Sequence, residues 1–178
     1  MMTKKQRLLA GFDRMERDRL RIVDELSHIP PERSAERPAP DAWSVAQVIT
    51  HLAMAEEKAL AYLEKKLEVK KHGPVGHGAP LRLWFLNTVI RLPLKYKAPA
   101  IVADIPCTSY AVAKERWAAI RLRTRQRYQE LDEKLLGHDL YKHPILGKFN
   151  LLQGLRFMAE HVKHHEHQIQ RILRAVDR

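Results

Sequence analysis

Cysteine is nearly missing from this chain: Cys107 is the only one in 178 residues. A single thiol excludes an intrachain disulfide framework, cannot be half of a two-cysteine metal site, and fits a reducing compartment. Placed in a loop just after Pro106, it reads as incidental rather than as a nucleophile, unless neighbours lower its pKa. Glycine is scarce, with 7, and no segment shows strand alternation, which turns the reading away from sheet. No apolar run is long enough to span a bilayer. Met1-Met2-Thr3-Lys4-Lys5 leads at once into a charged amphipathic pattern without an apolar core, so no signal peptide is expected and the expected location is cytoplasmic.

What is present favours helix. Leu, Ala, Glu, Lys, Arg and Gln dominate long stretches, and a hydrophobic fraction of 45% can fill one substantial core, so residues 1–178 are expected to form a single all-α domain. The net charge of +11 makes an anionic partner conceivable in bulk, but the basic residues are interleaved with acids such as Asp13, Glu16, Asp18, Glu130, Asp132 and Glu133. No basic stripe with stacking aromatics appears, so the charges read as solvated helix faces and no specific nucleic acid is expected.

Four long amphipathic helices are predicted. The first runs from about Thr3 to Leu26, with Leu8, Phe12, Met15, Ile22, Val23 and Leu26 inward; Thr3 and Gln6 have capping-box spacing. The proline-rich stretch from Ile29 to Pro40 cannot continue it. Ser44, with Gln47 three residues on, starts the second helix, whose stripe of Val45, Val48, Leu52, Ala55, Ala59 and Leu63 places His51 at the core margin and fades near Leu67. The third spans about Thr108 to Leu136, with Tyr110, Ala113, Trp117, Ile120, Tyr128, Leu131 and Leu135 inward and Gly137 as terminator. His143 to Phe149 reads as a turn, and Asn150 with Gln153 caps the last helix.

About 40 residues, roughly 68 to 108, join the second and third helices, far more than a hairpin of antiparallel helices needs. A crossover of that length implies that these two helices run parallel in a four-helix bundle. Within it, Leu81 to Leu92 should form a short amphipathic helix stopped by Pro93, with a lid or packing role, or a contact with another chain or a membrane.

The most specific chemistry lies in Glu160-His161-Val162-Lys163-His164-His165-Glu166-His167-Gln168. His161 and His165 are four residues apart, one above the other on a helix face. Leu151, Leu155, Met158, Val162, Ile169, Ile172 and Val176 form the apolar seam, and His165 fills its one gap. Two readings compete. His165 is a core histidine bonded to a carbonyl or tyrosine, or the pair is half of a metal chelate whose third ligand comes from elsewhere. In either case His164 and His167 read as exposed.

The combination of Trp43-Ser44-Val45-Ala46-Gln47-Val48-Ile49-Thr50-His51-Leu52, His143-Pro144-Ile145-Leu146-Gly147, Asn150-Leu151-Leu152 and His161-x-x-x-His165-x-x-Gln168-Ile169 resembles the DinB-like (DinB/YfiT-like) metalloenzyme family over essentially the whole chain. The resemblance implies an up-down-down-up four-helix bundle, commonly a homodimer, with a metal-binding histidine triad at His51, His161 and His165. It further implies a divalent ion, Zn, Ni or Fe, since imidazole suits all three. Some branches use a low-molecular-weight thiol in transferase or isomerase reactions.

Three neutral imidazoles leave the ion's charge free to acidify a coordinated water or thiol, giving a nucleophile at neutral pH for attack on a small-molecule electrophile. Together with what the resemblance implies, the function expected is a metal-dependent S-transferase, isomerase or hydrolase. Glu56, Glu57 and Glu160 lie within one or two turns of the ligands, but exterior carboxylates are normally solvated, so no general base is assigned. The alternatives are a non-catalytic bundle with a structural metal, a basic surface for an acidic partner, or a helical protein associated with nucleic acid.

Overall fold

The computed structural model describes residues 1–70, 72–91 and 105–177. Four long helices carry the fold: α1 (Lys4–Glu25), α3 (Val45–Glu68), α5 (Tyr110–Glu130) and α6 (Leu151–Val176), with a short α2 (Pro31–Ala35) and a helix α4 (Ala79–Arg91) in the connections. All three expected capping boxes form, at Thr3 and Gln6, Ser44 and Gln47, and Asn150 and Gln153. In each the cap side chain accepts from the third backbone N–H, while the glutamine reaches back to the cap's own N–H, so two otherwise orphaned donors are satisfied.

Contacts along the helices give their directions. Glu57 meets Arg116 and Glu64 meets Arg123, both numbers rising together, so α3 and α5 run parallel. Asp13 meets Arg125, Glu16 meets Arg121 and the Val23 carbonyl meets Tyr110, so α1 opposes α5. Gly11 lies against Leu155 and Arg21 pairs with Glu166, so α6 runs with α1. The four helices thus point up, down, down and up, with α1 and α3 each packed on both α5 and α6.

The core follows the apolar stripes. Leu8, Phe12, Met15 and Ile22 of α1, Val48, Leu52, Leu60 and Leu63 of α3, Trp117 and Ile120 of α5, and Leu155, Met158, Val162 and Ile169 of α6 are buried. Among them lie polar groups that the stripes do not announce. Arg121 and Glu56 are 1% and 5% exposed. Glu56 takes two hydrogen bonds from the Arg121 guanidinium and one from Trp117 Nε1 at 2.9 Å. Arg121 also reaches Glu16 at 3.3 Å.

Several expectations need correction. The third helix stops at Glu130, not Leu136, because Leu131 turns to extended backbone and Asp132 accepts from Lys134 N–H, starting a separate 3-10 turn over Glu133–Gly137. The proline-rich stretch does hold one turn of helix, with Pro31 at its first position, where its missing N–H costs nothing. Strand is also present: β1 (Tyr141–His143) and β2 (Gly147–Phe149) form an antiparallel hairpin around the expected turn. Three-residue strands are too short for alternation to register in the sequence. Gly147 takes φ +78, which its lack of a side chain permits. The helix expected at Leu81 is present, but its proposed stop at Leu92 and Pro93 lies outside the described residues. No described helix is long and apolar enough to cross a membrane.

Candidate metal centre

Two helices bring three histidines together. His51 projects from the first half of α3, and His161 and His165 from consecutive turns of α6. Their ligand-capable nitrogens all lie within 4.8 Å of one another. His161 Nε2 is 3.2 Å from His51 Nε2 and 3.0 Å from His165 Nε2. His51 and His165 are buried at 8% and 6% exposure, so His51 stands inside the core rather than at its margin; His161 is partly exposed.

Aromatic rings wall the cluster. Trp43, just ahead of the Ser44 cap, lies against His51 with centroids 5.0 Å apart and stacks on His165 at 6.3 Å. Phe157, one turn before His161, stacks on it at 5.5 Å, and the His143 ring meets Phe157 edge-on at 4.8 Å. His143 Nδ1 accepts the backbone N–H groups of Ile145 and Leu146, both at 3.2 Å, so this residue ties off the hairpin turn.

Burial disfavours the imidazolium form throughout. It lowers His51 to about 4 and His165 to about 3, and neighbouring charges, Lys58 and His164 for His51, push the same way. Burial and the adjacent histidines also hold His161 well below its ordinary value. His143 is lowered to about 4 by burial. The cluster is therefore a set of neutral imidazoles at neutral pH.

Neutral rings in this arrangement cannot satisfy one another. His165 Nδ1 is 2.7 Å from Gln168 Oε1; an amide oxygen only accepts, so Nδ1 carries the proton and Nε2 is a bare lone pair. One proton can then serve only one of the two contacts made by His161 Nε2, and the other brings two ring nitrogens together without a hydrogen bond between them. His161 Nδ1 is shielded and has no partner among the described residues. A cation at the centre would relieve the unbonded approach. Two nitrogens bound tetrahedrally at the usual zinc distance stand about 3.3 Å apart, close to the separations here, so the donor set fits a divalent ion.

The other singled-out residues fall elsewhere. Glu56, expected on the exterior, is buried in the Arg121 and Trp117 network, and the partners that reveal this lie some sixty residues along the chain. Glu57 pairs with Arg116 across the helices. Glu160 is partly buried, His167 and Cys107 are exposed, and the His164 ring is 5.1 Å from His165 without joining the cluster. Gln168 and Trp43 stood in the recognised sequence pattern, but their part in orienting and walling the rings depends on contacts that spacing does not show.

Comparisons with known proteins bear on the family and the fold. A family model, described as the DinB superfamily, matches residues 12–169. No curated protein sequence matches the chain. Among solved structures, the chain is similar to YfiT from Bacillus subtilis, described as a probable metal-dependent hydrolase with an unusual four-helix bundle topology. That likeness has a TM-score of 0.58 at 16% identity and covers 99% of this chain and 91% of the other.

Proposed function

The chain belongs to the DinB superfamily, and on that premise we propose that it is a metal-dependent enzyme acting on a small electrophile, with His51, His161 and His165 as the ligands of one divalent ion. The observation that carries this reading is the convergence of three Nε2 atoms, with separations of 3.0 and 3.2 Å to His161, in surroundings whose burial keeps all three rings neutral. A divalent ion held there acts as a Lewis acid and acidifies the water or thiol admitted beside it.

The chain's own residues do the positioning. Gln168 fixes the His165 tautomer, Trp43 and Phe157 limit ring rotation and exclude water from one side, and partly exposed His161 marks the side from which a substrate enters. The nucleophile is water or a low-molecular-weight thiol, giving hydrolysis or thiol transfer. The name given to the Bacillus subtilis relative favours the first. Against a structural metal stands the ligand count: among the described residues the cluster has three members, whereas a structural site normally closes with a fourth. The same reading has the protein acting as a homodimer, as a single bundle domain over residues 1–178, in the cytoplasm.

The test is elemental analysis of the purified protein, followed by ester, amide and thiol-transfer assays before and after chelation. About one equivalent of metal, lost from the His51→Ala and His161→Ala variants together with activity, is the expected result. Full metal content in the triple alanine variant would overturn the ligand assignment. Metal without chelator-sensitive activity in any assay would favour the structural reading.

A further inference from the structure

At the other end of α3 the chain forms a cleft of about 660 Å³ that includes Lys66, Lys70, His72, Arg82, Asp139 and Lys148 in its lining. His51 and Lys66 are fifteen positions apart on one helix, about 22 Å at the α-helical rise. The cleft is therefore separate from the histidine cluster. We propose that it is a binding site for a small molecule carrying a phosphate group.

Charge is the first argument. Among the described residues of its lining, four side-chain cations face a single carboxylate, and that carboxylate is fully engaged: Asp139 receives Lys66 and Lys148 at 2.9 Å each and the Gly73 N–H at 2.8 Å. One negative charge divided among three donors leaves the cleft strongly positive, and its concave walls concentrate that potential.

Unused hydrogen-bonding capacity is the second. Arg82 Nε and His72 Nδ1 are shielded from solvent and have no partner among the described residues, a costly state for a polar atom unless a ligand or water completes it. The Arg82 guanidinium lies over the Phe149 ring at 5.5 Å and donates weakly to the Lys148 carbonyl at 3.4 Å. It is thereby oriented in advance, and a planar fork of donors matches a phosphate better than a point charge does. The size is the third argument: the cleft falls in the range of small-molecule sites and exceeds what a bare phosphate fills, which suits a phosphorylated organic molecule or a lipid headgroup.

The experiment is a titration of the isotope-labelled full chain with inorganic phosphate and pyrophosphate at low ionic strength, followed by amide NMR. Saturable shifts at Gly73 and Gly76, weakened about tenfold or more in Arg82→Gln and in Lys148→Gln, are expected. Lys148 is exposed, so its variant retains the fold even if the Arg82 change disturbs the hairpin, and circular dichroism checks both. A second arm sediments the protein with phosphatidylcholine vesicles with and without phosphatidic acid. Sedimentation that needs phosphatidic acid and Arg82 identifies a lipid source, while phosphate-induced shifts without sedimentation identify a soluble one; either supports the site. Shifts confined to residues around His51, His161 and His165, affinities unchanged in both variants, or no response in either arm would overturn it.

Discussion

His165 Nδ1 and Gln168 Oε1 stand 2.7 Å apart, one helical turn from each other on α6. This contact decides which nitrogen of the histidine faces the cluster. Gln168→Leu removes the acceptor, frees the ring to take the other tautomer, and is expected to weaken metal binding about tenfold to a hundredfold. Chelator competition measures this directly. An affinity equal to that of the unaltered protein would show that Trp43 stacking alone orients the ring.

The buried Glu56 and Arg121 pair predicts a stability effect away from the metal. Arg121 is 1% exposed and, once Glu56 is gone, its one remaining ion-pair contact among the described residues is Glu16 at 3.3 Å. Glu56→Ala should cost about 3–5 kcal/mol in urea unfolding, because a guanidinium left unpaired in the core is worse than no ion pair at all. Glu56→Gln, which can still accept from Trp117, should cost less. A loss below about 1 kcal/mol for the alanine variant would mean that Glu16 or water takes over the partnership.

Much of the architecture was legible in the sequence because its signals are local. Capping boxes need three residues, the apolar stripes need one helix, and the gap in the α6 seam pointed at His165 before any partner was known. The 40-residue connection likewise foretold the parallel run of α3 and α5. What escaped was long-range. Glu56 falls on the buried face, four residues after Leu52 and seven before Leu63, whereas Glu57 does not, but the partners that make its burial tolerable, Trp117 and Arg121, arrive from α5 and are not announced by spacing. The hairpin escaped because its strands are three residues long, and the early end of α5 because Asp132 competes for the backbone with a side-chain bond. Of the proposed ligands, the His161 and His165 spacing was local, while His51 entered through family resemblance.

Asp139 makes stability depend on acid. Burial alone would raise its pKa, but the Gly73 N–H and the Lys148 and Lys66 ammonium groups outweigh that and hold it at about 2, against an ordinary 3.8. A carboxyl with a depressed folded-state pKa stabilises the protein above its unfolded value, and the contribution disappears as pH falls from about 4 through about 2. Because one of its two lysine partners, Lys148, is exposed to solvent, this amounts to about 1–2 kcal/mol. Asp139→Asn should flatten that part of the stability profile, measured by thermal melts from neutral pH downward. Parallel profiles for the two proteins would remove Asp139 from the account.

Leu81, Trp84 and Phe85 lie on one face of α4 at 69%, 64% and 56% exposure, an i, i+3, i+4 apolar patch with no partner among the described residues. If this face joins two copies, light scattering should give twice the chain mass, and Trp84→Asp should return the mass of one chain without loss of helix. A single-chain mass at every concentration would remove the dimer from the proposed function.

Two glycines in helices make opposite predictions. A Cβ on Gly154 would stand 2.4 Å from Tyr141 Cγ and 2.8 Å from its Cβ, whereas a Cβ on Gly11 would meet Leu155 Cδ2 at 2.8 Å. Alanine gains about 1 kcal/mol of helix propensity at either site. At Gly11 the obstacle is the mobile end of a leucine, which can turn aside, so Gly11→Ala should be neutral or slightly stabilising. At Gly154 it is the root of a buried tyrosine anchored in β1, and overpacking there should cost about 1–3 kcal/mol, exceeding the propensity gain. The disturbance also has a route to the histidines, since Tyr141 lies against Phe157 and Phe157 stacks on His161. Gly154→Ala should therefore lower both the unfolding midpoint and the metal affinity, while Gly11→Ala leaves the metal affinity unchanged. Equal metal affinities in the two variants would show that the hairpin does not help to set the position of His161.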